Sequence, residues 1–155
     1  MNIKIIRLLL FPLFFFIAAF MPGSFAFAQT AADVDNILQA ETVTAAAAAR
    51  FVLAAAELLP DGISGADAEK AAYDLASSNG WIKTAAEESL SMKDSAFLIM
   101  KAFDMKGGLM YSLFKNPRYA YRELMYQNII TGRINGKAKV IGASFLQILD
   151  RTINK

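Results

Sequence analysis

Apolar residues recur at helical spacing in several segments of this chain. In the stretch LSMKDSAFLIMKAF, the residues Ala96, Phe97, Met100 and Phe103 fall at i, i+1, i+4 and i+7 and therefore share one face of a helix. The C-terminal stretch SFLQILDRTI repeats this spacing. No sustained alternation of apolar and polar residues is present, which argues against half-buried strands. The pattern predicts an all-α fold.

These helical segments are related to one another by an internal repeat. Residues 43–56, 90–103 and 140–153 align without gaps, and each begins with a branched aliphatic residue and has a bulky apolar residue at its tenth position. A shorter segment precedes each of the three, and its pattern predicts a short amphipathic helix that runs into a tight connection. The repeating unit is therefore a short helix, a connection and a longer helix, made three times.

The starts of the three longer helices differ in their capping residues. Ser91 and Asp94 form a pair like a capping box, in which the hydroxyl accepts a backbone N–H and the carboxylate reaches back. Thr44 is placed to cap the first longer helix. The third begins at Gly142, which permits a helix start without a side-chain acceptor.

The first 28 residues have the charged, apolar and small-residue order of a secretory signal peptide. Lys4 and Arg7 precede the run LLLFPLFFFIAAF, and Ala26 and Ala28 occupy the small-residue positions of a cleavage site. A retained membrane anchor is the alternative, because no charge occurs between Arg7 and Asp33. Two prolines and a glycine interrupt the segment, however, and spanning needs ~20 apolar residues. We expect cleavage after Ala28 and a processed chain in the periplasm or on the cell surface.

The chain contains no histidine and no cysteine, which excludes much of enzyme chemistry. Serine–histidine triads, thiol nucleophiles and metal sites built on these residues are all impossible. Glu87 and Glu88 are adjacent in a polar linker and lie in no recognisable cleft motif, and no glycine-rich phosphate loop is present. We expect a non-catalytic protein without a cofactor or a bound metal ion.

Charge is distributed unevenly along the processed chain. Residues 29–104 carry 12 acidic and 5 basic residues, whereas residues 105–155 carry 2 acidic and 9 basic residues. Such asymmetry often accompanies a polyanionic partner. Attraction between the two regions, within one fold or between subunits, is the alternative. Because the chain is expected to be exported, nucleic acid is not an expected partner.

The repeat resembles the S-layer homology repeat. AYRELMYQNIITGR matches the first half of that motif and AAYDLASSNGWIK matches it less fully. LSMKDSAFLIMKAF matches the second half, with Ser91 at the motif threonine and Asp94 at the motif glutamate. The resemblance covers essentially all of residues 29–155, as one domain with three units at about 31–58, 66–106 and 116–155. It implies three helix–loop–helix units around a pseudo-threefold axis that anchor a protein to cell-wall polysaccharide.

The chain departs from this family at the residue that helps hold the anionic glycan. The three positions of the motif arginine are occupied by Ala45, Met92 and Gly142. Any cations that bind a glycan must therefore lie elsewhere in the chain. The densest group of basic residues is Lys115, Arg118, Arg122 and Arg133.

Aromatic residues are interleaved with these cations in residues 107–124, GGLMYSLFKNPRYAYREL. Aromatic ring faces stack on sugars, and a guanidinium group binds a carboxylate or phosphate through two hydrogen bonds. The candidate ligand-binding residues are Tyr111, Lys115, Arg118, Tyr119, Tyr121, Arg122, Arg133 and Trp81.

A packed junction between the second and third units is the alternative for the same stretch. Tyr119, Arg122, Glu123 and Tyr126 would form one helical stripe, and such stripes are more often packed than exposed. Together with Leu109, Leu113 and Leu124, they would then be core and rim residues of that junction. Trp81 likewise has the alternative of a core anchor.

The sequence thus predicts a non-catalytic exported envelope protein that binds cell-wall polysaccharide or a peptidoglycan-linked polymer. The alternative is a structural or adaptor subunit of a periplasmic assembly, which joins a protein partner or a second copy without binding glycan. Neither reading includes nucleic acid, or a membrane partner after removal of the leader.

Overall fold

The computed structural model describes residues 24–60, 62–132 and 135–155, and every regular element in these ranges is an α-helix. The all-α prediction is confirmed. The helices are α1 (Ser24–Gln39), α2 (Ala45–Ala55), α3 (Gly65–Ser78), α4 (Met92–Ala102), α5 (Leu109–Phe114), α6 (Pro117–Tyr126) and α7 (Gly142–Ile153).

The predicted leader, residues 1–28, lies outside the described residues except for its last five, which begin α1. Within the described part of the chain, no helix is long and apolar enough to cross a membrane. Contacts divide the chain after Val34, and Asp35–Lys155 forms one compact unit. The three aligned segments and the candidate site belong to this unit.

The three segments that align in sequence meet at their first residues. The N–H of Val43 donates to the carbonyl of Val140 at 2.9 Å, and the N–H of Val140 donates to the carbonyl of Leu90 at 3.0 Å. The N–H of Leu90 donates in turn to the carbonyl of Val43 at 2.8 Å. All three residues are buried. Each therefore gives and receives one hydrogen bond, and together they close a ring in the core.

A second set of hydrogen bonds surrounds this ring. The first residue of each longer helix donates its N–H, which has no partner inside its own helix, to the segment that precedes another longer helix. These bonds join Ala45 to Glu88, Met92 to Ala138 and Gly142 to Ala40, at 2.9 to 3.0 Å. The first backbone N–H groups of α2, α4 and α7 are thus hydrogen-bonded to carbonyl groups in the segments that precede one another's helices.

The predicted caps of the longer helices are confirmed. The Oγ1 of Thr44 accepts the N–H of Ala47 at 3.3 Å, and the Oγ of Ser91 accepts the N–H of Asp94 at 3.4 Å. The Asp94 carboxylate accepts the hydroxyl hydrogen of Ser91. Helix α7 begins at Gly142 without a side-chain cap.

Replacing Ser91 by alanine is expected to lower the free energy of unfolding by ~1 kcal/mol, because the α4 cap is lost. Urea denaturation measures this change. Ser77, which is exposed on α3, is the matched control, and Ser77→Ala is expected to stay within about 0.5 kcal/mol of the parent. Equal midpoints for the two variants would contradict the capping role of Ser91.

Helices α3 (14 residues) and α6 (10 residues) end in the same way. The expected order of a short helix before a longer one is wrong in the second unit, because α4 has only 11 residues. Gly80 and Asn128 both have positive φ, at 69° and 59°, which is the left-handed conformation that ends a helix. The next residue of each turn then donates its N–H back into the helix, from Trp81 to Ala76 and from Ile129 to Leu124. These turns lie at corresponding points of the second and third units.

The connection inside the first of the three predicted units differs from those of the later two. Residues 40–44 alone join α1 to α2, whereas residues 79–91 and 127–141 make the corresponding connections of the later units. Helix α5 is also additional, because it lies between α4 and α6 and has no counterpart between α2 and α3. The first connection is therefore shortened and the second interval is extended.

One contiguous apolar core underlies these elements. Helix α2 packs against α3 and α4, and α4 packs against α6. The largest fully buried side chain is Phe145 on α7. Phe97 on α4 is buried and Phe103 is half-buried at the end of that helix.

Candidate functional site

Helix α5 is held in place by its one buried side chain, Tyr111. The ring lies against the backbone of Gly107, where an added Cβ atom would come within 2.6 Å of a ring carbon. Burial, together with the charge of Asp104, raises the pKa of the Tyr111 phenol above its ordinary value of 10.0. Tyr111 therefore anchors α5 in this structure, and its ring face is turned to the protein.

Tyr119 and Tyr121 are half-buried in different surroundings on α6. The ring of Tyr119 stacks on Phe114, with centroids 5.6 Å apart and an interplanar angle of 29°. The ring of Tyr121 lies beside Gly136, where an added Cβ would be 3.2 Å from it. Together with the buried Tyr111, these rings do not form one common stacking platform.

The predicted cations near these rings are exposed. Lys115 follows α5, and Arg118 and Arg122 lie one turn apart on α6. The residue before the helix, Asn116, caps it, because its side chain accepts the N–H of Tyr119 at 3.2 Å. Neither arginine forms an ion pair with an acidic residue in the described part of the chain. Both guanidinium groups therefore remain available to an anion.

An exposed tyrosine extends this row of cations by one further turn. Tyr126 is 84% exposed and lies four residues after Arg122, as Arg122 lies four residues after Arg118. Residues at this spacing share one face of a helix. We call Arg118, Arg122 and Tyr126 the α6 stripe. Sequence reasoning placed Tyr126 on a packed stripe and missed its exposure, although the i, i+4, i+8 spacing was visible.

Glu123 connects α6 to α5. Its Oε2 accepts the N–H of Gly108 at 2.8 Å, and its Oε1 accepts the side-chain amide of Gln127 at 2.8 Å. Gly108 is the residue before α5, so the carboxylate fixes the start of that helix. Glu123 thus connects α6 to the start of α5 through a hydrogen bond.

The outer face of α5 is apolar and exposed. Leu109 is 73%, Leu113 65%, Phe114 57% and Met110 54% exposed. In the alternative of a packed junction, Leu124 is therefore a core residue, whereas Leu109 and Leu113 lie outside the core. Residues 107–124 form a junction on one side and an open surface on the other.

The remaining candidates lie apart from the α6 stripe in the chain. Trp81 is half-buried and packs against the core, and Arg133 lies outside the described residues. The first residues of α2, α4 and α7, which are Ala45, Met92 and Gly142, are all buried. No cation projects from the start of a longer helix at these positions.

The chemistry of this surface is that of recognition through charge and ring faces. The described residues hold no cluster of three acidic side chains that would bind a metal ion. No protein-family model matches the chain, and neither a curated protein nor a solved structure shows significant similarity to it. The α6 stripe, with two open guanidinium groups and an open phenol ring, is the strongest candidate binding site in the described part of the chain.

Proposed function

We propose that this chain is a non-catalytic exported envelope protein that binds an anionic cell-wall glycan through the α6 stripe. Its scaffold is a set of three degenerate units of the S-layer homology type, arranged about a pseudo-threefold axis. The observation that carries the binding proposal is the exposed pair Arg118 and Arg122, which form no ion pair within residues 24–60, 62–132 and 135–155.

The ring of hydrogen bonds supports the pseudo-threefold arrangement. Val43, Leu90 and Val140 are the first residues of the three aligned segments, and each bonds to the other two. A cyclic exchange among equivalent residues is what a threefold axis through the core requires. The positive-φ residues Glu57 and Asp104, which follow α2 and α4, add a second equivalence between the first two units.

The buried family positions argue for a displaced ligand site. A glycan held at the starts of the longer helices would meet the buried side chains of Ala45 and Met92. These side chains have no charge to offer a carboxylate or phosphate. The binding surface is therefore placed on the outer face of α6.

The α6 stripe suits a polymer of acidic sugars. Arg118 and Arg122 each offer a planar donor fork for a carboxylate or phosphate group. Successive turns of a helix are ~5.4 Å apart along its axis, so the two forks address neighbouring groups of one polymer. Tyr126, one turn further on, offers a ring face on which a sugar stacks.

Replacing Arg118 and Arg122 together by glutamine is expected to weaken binding to purified cell-wall material by at least ~10-fold, since each removes a charge-assisted contact. Co-sedimentation with the insoluble wall fraction measures the affinity. Added salt should also weaken the binding of the parent to wall material, because exposed charge contacts are screened over ~10 Å at 0.1 M salt.

The charge-matched control is Lys70→Gln with Lys83→Gln, both exposed residues of the acidic region. We expect this control to bind as the parent does, and both double variants to keep the parent's circular dichroism and melting temperature. Equal wall binding by the arginine variant and the parent would contradict the proposal. A parent that does not bind the wall, with an oligomer that changes in the arginine variant, would favour the structural subunit.

A further inference from the structure

The outer face of α5 carries the largest exposed apolar side chains of any short segment in the described chain. Leu109 and Leu113 lie one turn apart, as do Met110 and Phe114, so four large side chains cover one and a half turns. Soluble proteins seldom expose such contiguous apolar groups unless they bind something. The aliphatic side chains of Leu109, Met110 and Leu113 offer a sugar neither hydrogen bonds nor a flat ring face, so the glycan site does not account for these three.

This apolar face is fixed by packing and hydrogen bonds. Tyr111 is buried on the inner side of α5, and the Glu123 carboxylate holds the N–H of Gly108 at the helix start. At the other end, Phe114 stacks on Tyr119. Contacts at both ends and on the inner side thus keep Leu109 and Leu113 facing outward.

Basic residues outnumber acidic ones around the face, where Asp104 acts on the buried Tyr111 and Glu123 is bonded to the N–H of Gly108. From residue 105 to residue 122 the chain has no acidic residue, and Lys106 and Lys115 stand immediately before and after α5. Both lysines are exposed. An occupant must therefore accept apolar side chains in its centre and present negative charge around them.

We propose that α5 docks on the surface of a lipid bilayer that contains anionic lipids. In such an interface, the apolar face of a helix enters the boundary between headgroups and acyl chains, and flanking lysines remain among the phosphates. Leu109 and Leu113 would enter deepest, with Lys106 and Lys115 at the headgroups. The inference goes beyond glycan binding and uses different side chains.

This inference departs from the sequence-based expectation that the processed chain has no membrane partner. That expectation concerned a spanning segment. A helix that lies in the interface needs only an apolar face and adjacent cations.

Vesicle co-sedimentation tests the proposal directly. The processed chain is mixed with vesicles of phosphatidylcholine alone, or of phosphatidylcholine with phosphatidylglycerol. We expect binding to the mixed vesicles, a loss of at least ~10-fold for Leu109→Gln with Leu113→Gln, and a loss of similar size for Lys106→Gln with Lys115→Gln. All variants share one N-terminus, so differences among them report α5 and its flanks.

The matched control is Leu75→Gln with Ile153→Gln, which removes two exposed apolar side chains from other helices. We expect this control to bind the mixed vesicles as the parent does. Equal vesicle binding by the leucine variant and the parent would overturn the proposal, as would no binding by the parent. A parent dimer that becomes monomeric in the leucine variant, without vesicle binding, would assign the face to a second copy instead.

The two surfaces are separable in one set of variants. The leucine variant should still bind wall material, and the Arg118 and Arg122 variant tests that binding independently. Loss of wall binding in the arginine variant, together with loss of vesicle binding in the leucine variant, would support both proposals. Failure of either assay in the parent identifies which proposal is wrong.

Discussion

Replacing Phe145 by alanine is expected to lower the free energy of unfolding by about 3–5 kcal/mol. Phe145 is fully buried on α7. In the alignment of the three longer helices, its position corresponds to Ala48 and Ser95, which are both small and buried. One large ring and two small side chains therefore occupy the equivalent positions, and truncating the ring would leave a cavity that neither of the others fills.

Chemical denaturation measures this loss of stability, provided that the slope of the unfolding free energy against denaturant concentration is the same in the variant and the parent. Phe114→Ala is the matched control, because the same atoms are removed from a ring that is mostly exposed. We expect the control to lose less than half as much stability as Phe145→Ala. Equal losses for the two phenylalanines would show that Phe145 does not fill the centre of the core.

Replacing Gly142 by alanine is expected to cost about 3 kcal/mol or more. An added Cβ atom would lie 1.6 Å from the carbonyl oxygen of Ile37, which is a backbone atom that no side-chain rotation can move away. The hydrogen bond from the Gly142 N–H to the Ala40 carbonyl would be displaced with it. Helix propensity alone would make the alanine variant more stable by up to ~1 kcal/mol. A loss of stability would therefore indicate the steric clash with the Ile37 carbonyl.

Gly108→Ala supplies the comparison for this substitution. Its added Cβ would meet only the flexible end of the Glu123 side chain, at 3.2 Å. We expect a change of less than about 1 kcal/mol at this N-cap position. A melting temperature of Gly142→Ala at or above that of the parent would refute the contact between α7 and the residues that end α1.

Periodicity and repeat alignment predicted those parts of the fold that depend on local chemistry. The caps at Thr44 and Ser91 were visible because a hydroxyl at a helix start has a short-range partner. The alignment also placed Val43, Leu90 and Val140 in register, and the structure brings these three residues together. Gly142 was recognised as an uncapped helix start, but its close approach to Ile37 depends on a contact distant in sequence.

The sequence was a poorer guide to the outer surface. Leu109 and Leu113 have the spacing of a buried face, and only the inward position of Tyr111 decides that they face outward. Periodicity identifies a face of a helix without saying which side the rest of the chain covers. Tyr126 was misplaced for the same reason.

The closed ring of Val43, Leu90 and Val140 limits how this protein can vary in repeat number. In an open solenoid, each unit contacts only its neighbours, so a terminal unit can be lost or duplicated while the remaining stack survives. Here, deletion of any one unit breaks two of the three ring bonds and leaves buried backbone groups without partners. The first and last ring residues are also far apart in sequence, so the ring closes only after most of the chain is in place, which favours all-or-none folding over unit-by-unit folding.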